Sequence, residues 1–485
     1  MEPLTSAITP KPGFRPLERG RGASSDQISW LAVVGFILLH LPLALMMKFV
    51  PTVATVDAFL VLAVGMKWAM SGRQLAKVAY IGAYIAGCEV IWRAVGASIY
   101  WEFGKYATIL IFIVALVRSR RFQLPALPTA YFLLLIPATL LTLWQASFSD
   151  AKSMISFNLS GPLALAVSVM FFMKIQLRRQ QLVRVLIAFI GPVVGMVAII
   201  VLGLASADVK FGRQSNVEAS GGFGANQVSA LLGMGCIAAF LCLLGGKQRW
   251  QLKLLFIGLM LEFAVQSALT FSRAGIYYAA ASLAVGCLML MRNIKAALEM
   301  AVVLGILFLL TNYVVYPRLD DFTGGALSAR FENTHLSGRA EIMDADLKIM
   351  AEHPIFGIGV GQAMSERAKF FKGFASHTEF TRLLAEHGIF GCVAALLLVV
   401  MAIRNVVVSP TGKGRAVAAA LATYSFCFMT GNGMRMVLPS FLLGLAAVRL
   451  GPERPPKRKE NTPQPNNPVR FSDYPRRSKP QLHPA

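Results

Sequence analysis

Arginines and histidines in four polar segments are the residues of this chain best suited to do chemistry. The segments are Lys210 to Asn226 with Arg213, T-F-S-R-A-G at 270–275 with Arg273, S-G-R at 337–339 with Arg339, and S-H-T-E-F-T-R at 376–382 with His377. A guanidinium group binds two phosphate oxygens at once and keeps its charge when partly desolvated. A neighbouring histidine is suited to accept a proton from a hydroxyl nucleophile. Beside apolar walls, this combination favours chemistry at a lipid-linked phosphate or diphosphate.

Each of these side chains also has a plain structural interpretation. Arg213 fits a solvated loop residue, and His377 fits a simple helix cap or surface residue. Arg273 is harder to explain in this way, because a charge in a tight turn between two long apolar stretches needs a partner. Further along, Glu386 is placed to pair with Arg382 inside an apolar stretch or to line a cavity.

The spacing of the metal-ligating residue types argues against a metal centre. The outer loops contain no HExxH motif, no zinc spacing and no DxD pair, and the six cysteines stand singly in apolar runs. G-I-G-V-G at 357–361 looks like a nucleotide loop, but no βαβ unit surrounds it. We therefore expect neither a metal nor a cofactor.

The elements that position these residues must be membrane helices. The chain has 485 residues, of which 56% are hydrophobic and only 15% charged, and its mean hydropathy is +0.59. Soluble domains average about 25% charged residues. The composition excludes a soluble enzyme, a disordered scaffold and a disulfide-stapled secreted domain. It predicts an all-α polytopic membrane protein.

Hydropathy predicts a bundle of about 12–14 transmembrane helices, since a span needs about 20 apolar residues. The candidate spans are 29–47, 51–70, 78–97, 105–117, 125–145, 154–173, 182–205, 225–245, 252–270, 274–291, 296–316, 379–403, 415–431 and 434–450. The weakest are 105–117, which is short, and the last two, which could be re-entrant. Inside the third span, Glu89 and Arg93 are spaced i, i+4 and predict an ion pair that locks the bundle.

The basic residues predict the orientation. With a cytoplasmic N-terminus, most of the 47 lysines and arginines fall in inside segments, as the positive-inside rule requires. The predicted division is a cytoplasmic tail at 1–28, a bundle of about 11 helices at 29–316, a long periplasmic loop at 317–378, further helices at 379–450, and a disordered basic cytoplasmic tail at 451–485. We expect this tail to lie near anionic lipid at most, without binding nucleic acid.

Part of the long loop is predicted to fold. Ser337 can cap a helix that runs to about Glu352, and Pro354 lies just beyond its end. One face of this helix is apolar: Ile342, Ala345, Ile349 and Met350. The loop of the predicted fold therefore contains short helices that pack on the bundle or on the membrane surface.

Five motifs in this order resemble the O-antigen ligase/polymerase family of bacterial envelope glycan enzymes, over roughly residues 205–450. They are G-A-N-Q-V-S-A at 224–230, T-F-S-R-A-G at 270–275, S-G-R at 337–339, E-H-P-I-F-G-I-G-V-G at 352–361 and S-H-T-E-F-T-R-L-L-A-E-H-G-I-F-G at 376–391. The resemblance implies transfer of a glycan from undecaprenyl diphosphate to a sugar hydroxyl at the outer face of the inner membrane, with inversion and without metal or nucleotide. Ligases use the lipid A core as acceptor, and polymerases use another lipid-linked repeat.

The resemblance also implies roles for single residues. The family's essential turn arginine corresponds to Arg273 and its essential loop histidine to His377. The loop arginine corresponds to Arg339, and the arginine before the Asn motif to Arg213. Predicted supporting residues are Asn226, Glu379 and Arg382. Two departures concern positioning: Thr378 and Glu379 follow the histidine where Asn is common, and Ala340-Glu341-Ile342 replaces an aromatic residue.

A transporter or flippase of lipid-linked glycans is the main alternative. It predicts charged residues deep in several spans and repeats between halves, whereas the charges within spans are confined to Glu89/Arg93 and Arg382/Glu386. A scaffold that acts through the basic tail is the second alternative. Within the enzyme interpretation, the sequence leaves ligase and polymerase open.

Overall fold

Long apolar helices form nearly all of the regular secondary structure of the described residues. The computed structural model describes residues 29–206, 209–212, 214–245, 248–291, 294–332, 338–370, 376–410 and 412–451. The predicted tails at 1–28 and 451–485 lie outside this part of the chain, except for Gly451.

Fifteen helices of the described residues occupy the places of the fourteen predicted spans. The first twelve are α1 (Trp30–Phe49), α2 (Pro51–Ser71), α3 (Leu75–Ala94), α4 (Phe103–Arg118), α5 (Ala126–Leu133), α6 (Ile136–Gln145), α7 (Phe148–Met173), α8 (Arg179–Ser206), α9 (Ala225–Leu244), α10 (Trp250–Leu269), α11 (Ala274–Leu290) and α12 (Ile294–Leu310). Three more follow the long loop: α17 (Glu379–Val408), α18 (Gly412–Asn432) and α19 (Leu438–Ala446).

Nine stretches of the described chain are long and apolar enough to cross a membrane, with α5 and α6 counted as one. This confirms the prediction of an all-α polytopic membrane protein. Large apolar side chains on the outer helices are exposed, as lipid contact requires. Leu38 of α1, Phe59 of α2 and Phe308 of α12 are each more than half exposed.

Two predicted spans differ in detail from the helices found. The span at 125–145 is divided into α5 and α6, because Pro137 at the start of α6 cannot donate a backbone hydrogen bond to the preceding turn. The span at 434–450 contains only the nine-residue helix α19. At about 1.5 Å per residue, α19 is far shorter than the roughly 30 Å of a bilayer core. It is buried against α7 and α18.

A π-helical turn, Thr311–Val315, follows α12 and leads into the long loop. The described part of the loop contains four short helices: α13 (Tyr316–Phe322), α14 (Ala326–Glu332), α15 (Arg339–Glu352) and α16 (Ala363–Arg367). The predicted loop helix is thus present as α15. Its predicted cap, Ser337, lies outside the described residues. The buried side of α15 faces α17 and holds Ile342, Ala345, Asp346 and Ile349.

Two short parallel strands pair across the bundle, β1 (Gln176–Leu177) after α7 and β2 (Arg449–Leu450) after α19. One 3-10 turn, Glu218–Ser220, precedes α9.

The predicted ion pair of α3 is present. Arg93 Nη2 lies 2.6 Å from Glu89 Oε1, and both side chains are almost fully buried. Lys105 and Glu102 form a second buried pair beside it. Because unpaired charges in the interior are costly, these two pairs fix how α3 and α4 sit against their neighbours.

Candidate active site

The turn between α10 and α11 carries Arg273, and α9 holds this turn in place. Ser272 Oγ donates to Asn226 Oδ1 over 2.7 Å. Ser229 Oγ donates to the Ser272 carbonyl over 2.8 Å and accepts from the Gly275 amide over 3.0 Å. Asn226, a predicted supporting residue, therefore acts on the turn and through it on Arg273.

Two glycines let α9 and α11 approach closely behind this turn. A Cβ atom on Gly275 would lie 1.9 Å from the Ser229 carbonyl oxygen, and one on Gly233 would lie 2.3 Å from the Gly275 oxygen. No side chain fits at such distances. The backbone contact fixes the position of Ala274 and hence of the preceding arginine.

Phe271 in the same turn has a left-handed backbone, with φ of +57°. Such a conformation is costly for a bulky residue and persists only where surrounding contacts hold it. Here Arg330 Nε donates to the Phe271 carbonyl over 2.8 Å, and Phe211 stacks on the ring with centroids 5.2 Å apart. Arg213 itself lies outside the described residues.

Arg330 joins Arg273 and Arg339 in one basic cluster. Burial, reinforced by the positive charges of Arg273 and Arg339, holds the pKa of Arg330 below its ordinary value. Arg273 and Arg339 are half-buried. Because Arg273 and Arg339 both act on Arg330, the three guanidinium groups together favour a multiply charged anion.

His377 lies just before α17 and next to further arginines. Burial lowers the pKa of His377 to about 4, and the positive charges of Arg435, Arg339 and Arg367 contribute to this shift. The imidazole is therefore neutral near pH 7 and able to accept a proton. Arg339 acts electrostatically on both His377 and Arg330 and so links the histidine to the basic cluster.

Glu379 and Arg382, the other predicted supporting residues, form a buried ion cluster with Glu386. Arg382 Nε donates to Glu379 Oε2 over 3.2 Å, and its two terminal nitrogens pair with Glu379 and Glu386. The Met434 amide donates to Glu379 Oε2 over 3.3 Å. The expected pairing of Arg382 with Glu386 is thus present. The cluster fixes the first two turns of α17, directly after His377.

Two cavities lie near these groups. One, of about 340 Å³, lies between α7, the start of α17 and the turn between α18 and α19. The polar residues in its lining include Asn158, Ser376, Glu379, Arg382 and Arg435. The other, of about 520 Å³, is mainly apolar and lies among α9, α10, α11 and α12. Its lining includes Gly275 and Ile276, two and three residues after Arg273, and extends to Leu283 and Phe308.

Residues 263–396 match the family model described as O-antigen ligase. The segment is an O-antigen ligase domain. The match and the apolar helices support a membrane glycosyltransferase of the general O-antigen ligase/polymerase type. A comparison with curated proteins found no match.

The O-antigen ligase domain contains Arg273, Arg339, His377, Glu379 and Arg382. Arg273 and Arg339 both act electrostatically on Arg330, and Arg339 also acts on His377. The two supporting residues lie in the first turn of α17. Asn226 lies before the domain and contacts it through the Arg273 turn.

Arg435 lies after the O-antigen ligase domain, and sequence analysis did not identify it as a site residue. Its Nη2 donates to the Ser376 carbonyl over 3.1 Å, next to His377. The buried pair of α3 holds its turn: Arg93 Nη1 donates to the Arg435 carbonyl over 2.9 Å, and Glu89 accepts from the Val437 amide over 2.6 Å. The available signal was G-N-G-M-R-M at 431–436, an arginine close to two glycines between two apolar segments.

G-I-G-V-G at 357–361 contacts backbone of the same domain. The Ile358 and Gly359 amides donate to the carbonyls of Ala385 and Glu386, over 3.0 and 3.1 Å. These bonds form where α17 is broken at Gly388, whose φ is +55°. A Cβ on Gly357 would lie 2.3 Å from the Glu386 carbonyl carbon. The glycines therefore allow close backbone packing.

One group of described residues has the composition of a metal site. Glu352, His353 and Glu366 each bring one ligand atom within 4.8 Å of the others. Lys369 already pairs with Glu366. None of the three belongs to the predicted site.

Proposed function

We propose that this chain transfers a glycan from undecaprenyl diphosphate to an acceptor sugar hydroxyl at the periplasmic face of a bacterial inner membrane. The observation that carries the proposal is a neutral histidine, His377, beside clustered arginines within an O-antigen ligase domain. The acceptor is the lipid A core in a ligase or a second lipid-linked glycan in a polymerase.

In the proposed reaction the acceptor oxygen bonds to the anomeric carbon of the donor while the bond from that carbon to the diphosphate oxygen breaks. His377 takes the proton of the acceptor hydroxyl. Negative charge grows on the departing undecaprenyl diphosphate. Arg273, Arg330 and Arg339 stabilise it, together with Arg213. This assigns catalytic roles to His377 and Arg273 and diphosphate binding to Arg213, Arg273 and Arg339.

The apolar cavity among α9, α10, α11 and α12 suits the first isoprene units of the polyprenyl chain. It begins at Gly275, so a chain bound there would reach the basic cluster with its diphosphate end. Its lining offers apolar surface for a tail that would otherwise lie in lipid, while the charged end stays near the arginines.

The supporting residues act on the protein rather than on the substrate in this proposal. Asn226 holds the Arg273 turn, and Glu379 and Arg382 hold the start of α17. The buried charges of α3 and α4 are likewise paired with one another and with backbone. A flippase, the alternative function, requires charges along a transport path.

A gel profile of surface glycans tests the proposal. We would compare a host that lacks this chain with the same host restored by wild type, by His377→Ala or by His353→Ala. His353 is an exposed histidine of the same loop and serves as a matched control. We expect wild type and His353→Ala to restore the glycan, and His377→Ala to fail at equal protein level.

The pattern in the deficient host separates the two acceptors. Bare lipid A core with accumulated lipid-linked polymer indicates a ligase. Core that carries single repeats, or loss of a long exported polysaccharide, indicates a polymerase. Full restoration by His377→Ala would refute the catalytic role and favour the flippase.

A further inference from the structure

Asp346 is a fully buried acid on the side of α15 that faces α17. The neighbouring buried positions of this face are apolar: Ile342, Ala345 and Ile349. A carboxylate in such surroundings loses its hydration, so its place there depends on strong hydrogen bonds.

Three side chains supply those hydrogen bonds. Arg367 Nε donates to Asp346 Oδ1 over 2.6 Å, and Thr381 Oγ1 donates to Oδ2 over 2.7 Å. Ser376 Oγ shares its one proton between Oδ2, 3.2 Å away, and the Thr378 carbonyl, 3.0 Å away. All three donors belong to buried residues.

The donors lie around His377. Ser376 directly precedes it, and Thr381 is in the first turn of the helix that follows it. One carboxylate therefore fixes the backbone on both sides of the histidine. The third donor, Arg367, is one of the three arginines whose charge acts on His377, so its position matters for the proton affinity of the imidazole.

We propose that Asp346 is a positioning residue for His377, which holds the histidine at the reacting centre through Ser376, Thr381 and Arg367. The proposal rests on the glycosyl transfer proposed above. It assigns a function to an acid that touches no substrate. Group transfer depends on a positioned histidine, because the acceptor oxygen and the base that takes its proton must be held in the correct relative geometry.

Steady-state kinetics of the purified full-length protein in nanodiscs test this role. The donor is undecaprenyl-diphosphate-linked glycan extracted from cells that lack this chain, and the acceptor is a lipid extract of the same cells. For Asp346→Asn we expect kcat to fall by about 10- to 100-fold, since misplacing a reacting group by about 1 Å costs on the order of 100-fold. The KM for the donor should change by less than about threefold, because the basic cluster at Arg273 is untouched.

Asp344→Asn is the matched control. Asp344 lies on the same helix, is exposed and forms an ion pair with Lys348. We expect its kcat to stay within about twofold of wild type, as for most exposed substitutions. A wild-type kcat for Asp346→Asn would overturn the proposal, and so would a rise in donor KM at unchanged kcat.

Thr381→Val keeps the test decisive if Asp346→Asn fails to fold. It removes one of the three hydrogen bonds at nearly constant volume. We expect kcat to fall by about 3- to 10-fold at unchanged donor KM, in line with the loss of one ordinary hydrogen bond, because the other donors to the carboxylate remain. A wild-type kcat for Thr381→Val would then overturn the proposal. His377→Ala in the same assay separates the two hypotheses: if it is active, the proposed function falls, and if it alone is inactive, only the role of Asp346 falls.

Discussion

The imidazole of His377 has an unusual balance of burial and charge. Burial and the charges of three arginines lower its pKa from the ordinary 6.5 to about 4, so that it stays neutral down to about pH 4. The folded protein therefore binds fewer protons than the unfolded chain between pH 4 and 6.5. Its stability consequently falls as the pH drops through this window. A neutral histidine is the form that a general base requires.

The pH profile of transfer should report this shift. We expect the acid limb of kcat/KM that belongs to His377 to lie near pH 4. Arg435→Gln removes a positive charge that opposes protonation, so the limb should move up toward 6.5. Arg435→Lys keeps the charge and should leave the limb near its wild-type position. An acid limb that stays fixed in Arg435→Gln would contradict this electrostatic account.

Arg273→Lys probes the geometry of phosphate binding. Lysine keeps the charge but cannot bind two oxygens with one planar group. We expect kcat/KM to fall by about 10- to 100-fold, equivalent to one charged hydrogen bond of about 1.5–3 kcal/mol. Arg73→Lys, at an exposed arginine after α2, is the matched control. Full activity of Arg273→Lys would mean that the arginine only anchors the turn.

At the scale of elements, the contact of α9 with α11 decides where Arg273 lies. Gly275→Ala must push the two helices apart, because the new Cβ would lie 1.9 Å from the Ser229 oxygen. We expect a loss of about 1–3 kcal/mol, the usual cost of overpacking. Gly258→Ala in α10 is the control, since a Cβ there meets nothing within 4 Å. Thermal unfolding of both variants in detergent measures the difference, and equal melting temperatures would refute the close contact.

The helices themselves follow from the sequence because a membrane leaves few choices. Backbone polar groups in lipid must pair within a helix, so apolar runs of about 20 residues predict spans directly. Hydropathy fails at α19, since a short helix buried in protein has the same composition as a lipid-facing one. The break between α5 and α6 had a visible signal in Pro137.

The site was predictable only where one segment carries its own motif. Arg273 and His377 stand in short recognisable segments. The proposed roles of Asp346 and Arg435 depend on contacts outside their own segments. The most distant is that of Arg93 with the Arg435 carbonyl. No local pattern encodes a contact over more than 300 residues. The hints available were an acid on an apolar helix face, as at Asp346, and an arginine close to two glycines, as at Arg435.

At the scale of the whole molecule, the orientation in the membrane is still a prediction from the basic loops. We expect Ser365→Cys in the long loop to react with a membrane-impermeant maleimide in intact spheroplasts. Arg73→Cys, predicted to be cytoplasmic, should react only after permeabilisation. Both positions are exposed, and the six native cysteines are buried or half-buried, so wild type gives the background. The reverse labelling pattern would invert the assignment of both faces.

The hydrogen bonds between α3 and the Arg435 turn limit which segments of this chain can be exchanged for those of a relative. A chimera that exchanges only residues 263–396 for those of a relative would import a foreign histidine, turn arginine and loop. It would retain the hydrogen bonds of Glu89 and Arg93 to the 435–437 backbone, which fit the original segment and not the imported one. Residues 263–396 therefore depend on contacts that lie outside this segment. A chimera with a new specificity must therefore exchange α3, α18 and α19 as well as residues 263–396.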